Sequence, residues 1–92
     1  ANPGNADFRG LYSLLFAEQG DFARAEAEAR GTIAISSLNA EARLALALCY
    51  VNAEDTESAL KHIEIGIQAN DSRVSEQLTR LKIRITPISK PR

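Results

Sequence analysis

Few side chains in this sequence are equipped for chemistry, and their spacing decides what they can do. His62 is the only histidine and Cys49 the only cysteine. On a helix, the one-turn neighbours of His62 are Ser58, Ile65 and Gly66. None is a carboxylate or a thiol, whereas a zinc site takes three or four ligands. His62 therefore reads as a plain surface residue. Cys49 lies within LALALCYV, residues 44–51, eight apolar residues in a row. A thiol in such surroundings behaves as a small hydrophobe. A nucleophilic one needs a base or cation nearby, and Arg43 is the only cation on the same predicted helix. Glu26 and Glu28, like Asp55 and Glu57, stand two apart and so do not share a helix face. No GxxxxGK[ST] loop or other Gly-rich phosphate cradle is present. The expectation is a chain that is not an enzyme, with no catalytic residues, no metal site and no cofactor.

The chain has 92 residues, enough for one small domain. With a single cysteine no intrachain disulfide can form, and ANPGNADF is too polar for a signal peptide. Nothing marks secretion, and a cytoplasmic setting is favoured. The net charge of −1 is unevenly placed. Residues 1–72 carry five Lys/Arg against eleven Asp/Glu, and residues 73–92 carry six Lys/Arg against Glu76 alone. Late cations complement the dipole of a last helix and solvate its outer face. No aromatics interleave with them, so nucleic-acid binding is not expected.

LALALCYV is too short for a membrane span, which takes about 20 apolar residues. As a helix it is apolar all round, so it must be covered on every side. The cover follows from a period in the chain. Set Ala6–Asn39 above Ala40–Arg73, two segments of 34 residues. Then Arg9 lies over Arg43, Leu14 over Leu48, Phe16 over Tyr50, Asp21 over Asp55, Ala25 over Ala59 and Ile33 over Ile67, with no gap. The pattern predicts helices over Ala6–Glu18, Phe22–Ile35, Ala40–Asn52 and Thr56–Ala69. A fifth opens at Asp71 or Ser72 and ends near Ile85, because Pro87 restricts Thr86. Asp21, Asn39 and Asp55 are N-caps, their side-chain oxygens accepting free backbone N–H groups. TIAIS and IRIT have strand-like composition, so the ends of the second and fifth helices are the least determined.

A repeated helical hairpin of this length resembles the tetratricopeptide repeat family, whose pattern is W-x2-L-G-x2-Y, then A-x3-F, then P. In repeat one its slots hold Arg9, Tyr12, Ser13, Phe16, Ala25, Ala29 and Ser37. In repeat two they hold Arg43, Leu46, Ala47, Tyr50, Ala59, Ile63 and Asp71. QGDF at 19–22 is close to the family's turn between helices. Arg replaces Trp twice, and neither repeat has the Pro. Small residues fall where helices must approach closely, Ser13 against Ala25 and Ala47 against Ala59. The fold class so implied is all-α, an α-α superhelix of two repeats plus a C-terminal capping helix. Its parts are residues 1–5 as the tail of a preceding repeat or a linker, 6–39 as repeat one, 40–73 as repeat two, 74–86 as the cap and 87–92 as a flexible tail. Pro3 falls in the Pro slot of a preceding repeat, so the chain is expected to come from the C-terminal part of a longer array. In the cap, Val74, Leu78, Leu81 and Ile85 form an apolar stripe opposite Arg73, Glu76, Gln77, Arg80 and Arg84.

In an array of that family the first helix of each repeat lines the concave face. The resemblance places Asp7, Gly10, Leu14, Ala17 and Glu18 there from repeat one, and Glu41, Leu44, Leu48, Val51 and Asn52 from repeat two. Leu44, Leu48 and Val51 form a stripe that the repeat core is expected to leave uncovered. The groove so framed, with Asp7, Glu18 and Glu41 on its rim, suits an apolar or amphipathic helix with a basic flank. The occupant could equally be the chain's own tail, a second copy or further repeats. Some family members grip a C-terminal carboxylate in this groove with Lys and Asn. The corresponding positions here hold Gly10, Leu14, Leu44 and Leu48, so that mode is not expected. Phe8, Leu11, Tyr12 and Leu15 are candidates for a self-association face. The expected function is a non-catalytic module that binds other proteins. The alternatives are a small bacterial secretion-type chaperone or assembly subunit, and a structural or dimerising segment of a larger enzyme or regulator.

Overall fold

A computed structural model describes residues 6–86. Five helices follow one another: α1 (Ala6–Glu18), α2 (Phe22–Ile35), α3 (Ala40–Asn52), α4 (Thr56–Gln68) and α5 (Ser72–Ile85). There is no strand among the described residues. TIAIS and IRIT, the strand-like stretches, are helical through Ile35 and Ile85. Helix α4 stops one residue short of the expected end, because Ala69 already caps it, its N–H reaching the Gly66 and Ile67 carbonyls. The outlying segments 1–5 and 87–92 lie outside the described residues.

The helix boundaries have local causes. The side chains of Asp21, Asn39, Asp55 and Asp71 each accept a backbone N–H in the first turn that follows, from Arg24, Ala42, Ser58 and Arg73. Between helices the two hairpins close in the same way. Asp21 N–H donates to the Phe16 carbonyl and Asp55 N–H to the Tyr50 carbonyl, both at 2.9 Å. Gly20 and Glu54, 34 residues apart, both take positive φ, at 84° and 62°. That left-handed residue after a helix end is where glycine is most at ease.

Helix α3 packs against all four other helices, which answers how LALALCYV is covered. One side joins Ala42, Ala45 and Leu46 to Ala17, Ala25 and Ala29 of hairpin one (α1–α2). The other joins Leu44 and Ala47 to Ile63 of α4 and to Val74, Leu78 and Leu81 of α5. The small residues sit at the close approaches: Ser13, Ala25, Ala47 and Ala59 are all fully buried. A Cβ added at Gly10 would run into the side chain of Asn39, the N-cap of α3, so α1 packs closely on the α2–α3 turn. The hydroxyls of Ser13 and Thr32 are buried too, and they donate to the carbonyls of Gly10 and Glu28 at 2.6 and 2.8 Å. No buried side-chain polar atom among the described residues lacks a hydrogen bond. Helix α5 closes the stack. Its apolar stripe faces inward and Arg73, Glu76, Gln77, Arg80 and Arg84 stay exposed.

Candidate functional site

Two adjoining concavities run along the first helices of the hairpins and share Glu18 and Leu48. One, of about 330 Å³, is lined by Glu18, Leu44, Leu48 and, on α5, Gln77, Arg80, Leu81 and Arg84. The other, of about 390 Å³, is lined by Ala17, Glu18, Phe22, Leu48, Val51 and Asn52. Together they make one open groove with an apolar floor across α1, α3 and α5.

The structure sorts the expected groove residues. Glu18, Leu48, Val51 and Asn52 line the groove. Leu44 is its floor, only 3% exposed and packed with Val74, Leu78 and Leu81. The expectation that Leu44, Leu48 and Val51 stand uncovered is thereby corrected for Leu44. Helix α5 brings its own apolar stripe onto Leu44, while Leu48 and Val51 remain half-buried. Leu14 is a correction of the same kind. It is 6% exposed, belongs to the core with Leu44 and lines neither concavity. Glu41 is half-buried and lies off the groove, and the side chain of Asp7 is outside the described residues. The acidic rim therefore reduces to Glu18. The opposite rim, Gln77, Arg80 and Arg84, was missed because sequence reasoning treated α5 only as a cap. The signal was present: Gln77, Arg80 and Arg84 fall at i, i+3, i+7 beside the apolar stripe. Arg80 pairs with Glu76 at 2.6 Å. Arg84 and Glu18 have no ion-pair partner among the described residues.

The expected self-association residues are the large exposed apolar side chains of α1. Phe8 is 60% exposed, Tyr12 54%, Leu15 42% and Leu11 40%.

His62 is not the plain surface residue its sequence neighbours suggest. It is half-buried, and its ring stacks on Tyr50 with centroids 5.4 Å apart and planes at 7°. Arg43 Nη1 donates to its Nδ1 at 2.9 Å. A guanidinium can only donate, so Nδ1 is unprotonated and the ring hydrogen sits on Nε2. Arg43 itself is buried, and its Nε donates to the Ser37 carbonyl at 2.8 Å. On the far side Arg30 donates to the Tyr50 hydroxyl at 2.6 Å and is held by Glu26 at 2.9 Å. Burial lowers the pKa of His62, and Arg43, Arg30 and Lys61 lower it further. This cross-brace ties α2, α3 and α4 together. It is invisible along the chain because its members come from three helices.

Cys49 donates a long hydrogen bond to the Phe22 carbonyl, 3.6 Å. Burial, and then the charge of Glu26, push its thiol up to about 11. At neutral pH it is a thiol and a poor nucleophile. No group of three or more His, Cys, Asp or Glu among the described residues could hold a metal ion. None of the described helices is long and apolar enough to cross a membrane.

Neither a curated protein nor a solved structure matches the chain significantly. A family model described as tetratricopeptide repeat matches residues 16–81, more than half of the chain. That span runs from Phe16 of α1 to the buried Leu81 of α5. Together with the all-helical stack of hairpins, the match settles the family: this chain belongs to the tetratricopeptide repeat family, whose domains are scaffolds that bind proteins or peptides.

Proposed function

We propose that the groove across α1, α3 and α5 captures a segment of a partner protein, apolar at its centre and charged at its ends. The observation that carries this is the pairing of an apolar floor with two unlike rims. Leu44, Leu48, Val51 and Leu81 offer the floor, Glu18 one rim, and Arg80 and Arg84 the other. An amphipathic helix or extended segment fits such a groove through its apolar residues, while its charges fix direction. A basic residue of the partner meets Glu18, and an acidic one meets Arg84. The sequence alone suggested only the basic flank. No step of chemistry is assigned to this chain, and the proposal is a non-catalytic scaffold.

Peptides selected from a displayed library on the intact chain test this. Glu18→Lys and Arg84→Glu alter exposed rim residues and leave the fold alone. Each is expected to weaken the selected peptides by about three- to tenfold, as rim charges do. The double swap is expected to favour peptides of reversed polarity. Peptides that bind all variants equally would contradict the groove.

A further inference from the structure

We infer that the occupant of the groove lies extended and sets one apolar side chain on each side of Leu48, a step that rests on the capture proposed above. Leu48 lines both concavities and is the ridge they share. The first has Leu44, Leu48 and Leu81 for its apolar wall, the second Ala17, Phe22, Leu48 and Val51. At about 330 and 390 Å³, each has room for one large apolar side chain. Along α3 the first lies at residues 44–48 and the second at 48–52, one turn apart, or roughly 5–6 Å. Alternate residues of a strand share a face at about 6.6–6.8 Å and match that step. Helix residues four apart, about 6 Å along the axis, match it too.

Two side-chain amides choose between these. Gln77 lines the first concavity and Asn52 the second, and both are exposed. The Asn52 side chain makes no hydrogen bond among the described residues, and Gln77 Nε2 reaches the Arg73 carbonyl only at 3.5 Å. Each amide offers two donors and an acceptor. An extended chain presents an N–H and a C=O at every residue, whereas a helix has used its own internally. Amides at both ends of an apolar floor therefore suit a bare main chain. Charge sets the order of the anchors. In the first concavity Arg80 and Arg84 outweigh Glu18, and in the second Glu18 stands among residues that include no cation. Helices α1 and α3 also end there, at Glu18 and Asn52, and helix carboxyl ends carry partial negative charge. The segment is thus acidic beyond the anchor at α5 and basic beyond the anchor at the α1 and α3 ends. The residue between the anchors points to solvent.

Nuclear magnetic resonance on an isotope-labelled, library-selected peptide bound to the whole chain tests this. The peptide's Cα and Cβ shifts should be those of extended backbone, with its two anchors at i and i+2. One anchor should show nuclear Overhauser contacts to Leu44 and Leu81, and the other to Phe22 and Val51. Alanine at either anchor should weaken binding at least tenfold. Asn52→Ala and Gln77→Ala change exposed side chains. Each should weaken every selected peptide by about two- to tenfold, with helical circular dichroism unchanged. Peptides seated in the groove as helices, with anchors three or four apart, or held by a single anchor, would overturn the inference and leave the capture in place. Binding that both amide variants leave unmoved would do the same. No selected peptide at all, or peptides that contact only the outer faces of α2 and α4, would remove the capture and this inference with it.

Discussion

Hairpin one (α1–α2) and hairpin two (α3–α4) are written in one register and serve different ends. Tyr12 and Leu46 occupy the same position, yet Tyr12 is 54% exposed and Leu46 fully buried. Arg9 and Arg43 both reach the second helix of their hairpin, again at matched positions. Arg9 pairs with Glu28 at 3.1 Å, and Arg43 bonds to His62 at 2.9 Å. The turn residue is Gly20 in one hairpin and Glu54 in the other. A repeat thus fixes where a side chain sits along its helix. Neighbours then decide whether that place is core, rim or surface. Both hairpins supply core residues, but hairpin two packs on hairpin one at one side and α5 at the other, whereas among the described residues the outer face of α1 meets no helix.

The sharpest way to break this comparison is to place one charge at the matched pair. Leu46→Glu strands a carboxylate in the core and is expected to unfold the chain, at a cost of about 4 kcal/mol or more. Tyr12→Glu should change dilute-solution stability by less than about 0.5 kcal/mol. Equal losses in thermal or urea melts would mean that α1 is covered after all.

The arginine pair is expected to show a smaller contrast. Arg43→Ala removes buried packing and leaves the Ser37 carbonyl and His62 without their donor, a loss of about 2 kcal/mol. The Arg9–Glu28 pair is about one-third exposed on each side. Water screens it, so Arg9→Ala should cost less than about 1 kcal/mol. The partner's chemistry also makes hairpin two sensitive to acid. The folded-state pKa of His62 is lowered, so the folded chain binds fewer protons than the unfolded one. Its contribution is complete above the unfolded value near 6.5 and is lost as pH falls below it. Melting temperature should fall through that window, and His62→Gln should flatten the decline. A profile unchanged by His62→Gln would remove the cross-brace from the account.

The turn pair gives the smallest effect. Glu54 holds a left-handed conformation that side chains disfavour, so Glu54→Gly should stabilise by about 0.5–1 kcal/mol. Gly20→Ala at the matched turn should destabilise by about as much. Two changes of the same sign would show that the turns differ in more than their residue.

The fold was legible because its determinants are local and repeat. Capping residues Asp21, Asn39 and Asp55, the buried alanines 25 and 59, and the apolar stripe of α5 can all be read from spacing. The groove was legible only in part. Leu48 and Val51 were placed by the resemblance, but the burial of Leu14 and Leu44 depends on how closely α5 docks, which no spacing within α3 reports. The same docking brings Arg80 and Arg84 to the rim. The Glu26–Arg30–Tyr50–His62–Arg43 brace spans three helices, so its members meet only once the hairpins stack.

The central claim is that the groove across α1, α3 and α5 receives a partner segment. Amide chemical-shift mapping on the isotope-labelled chain, titrated with a library-selected peptide, tests it most directly. The account predicts shifts concentrated at Glu18, Leu48, Val51, Asn52, Arg80 and Arg84, with the outer faces of α2 and α4 quiet. Shifts centred on those outer faces, with the groove amides unmoved, would contradict it.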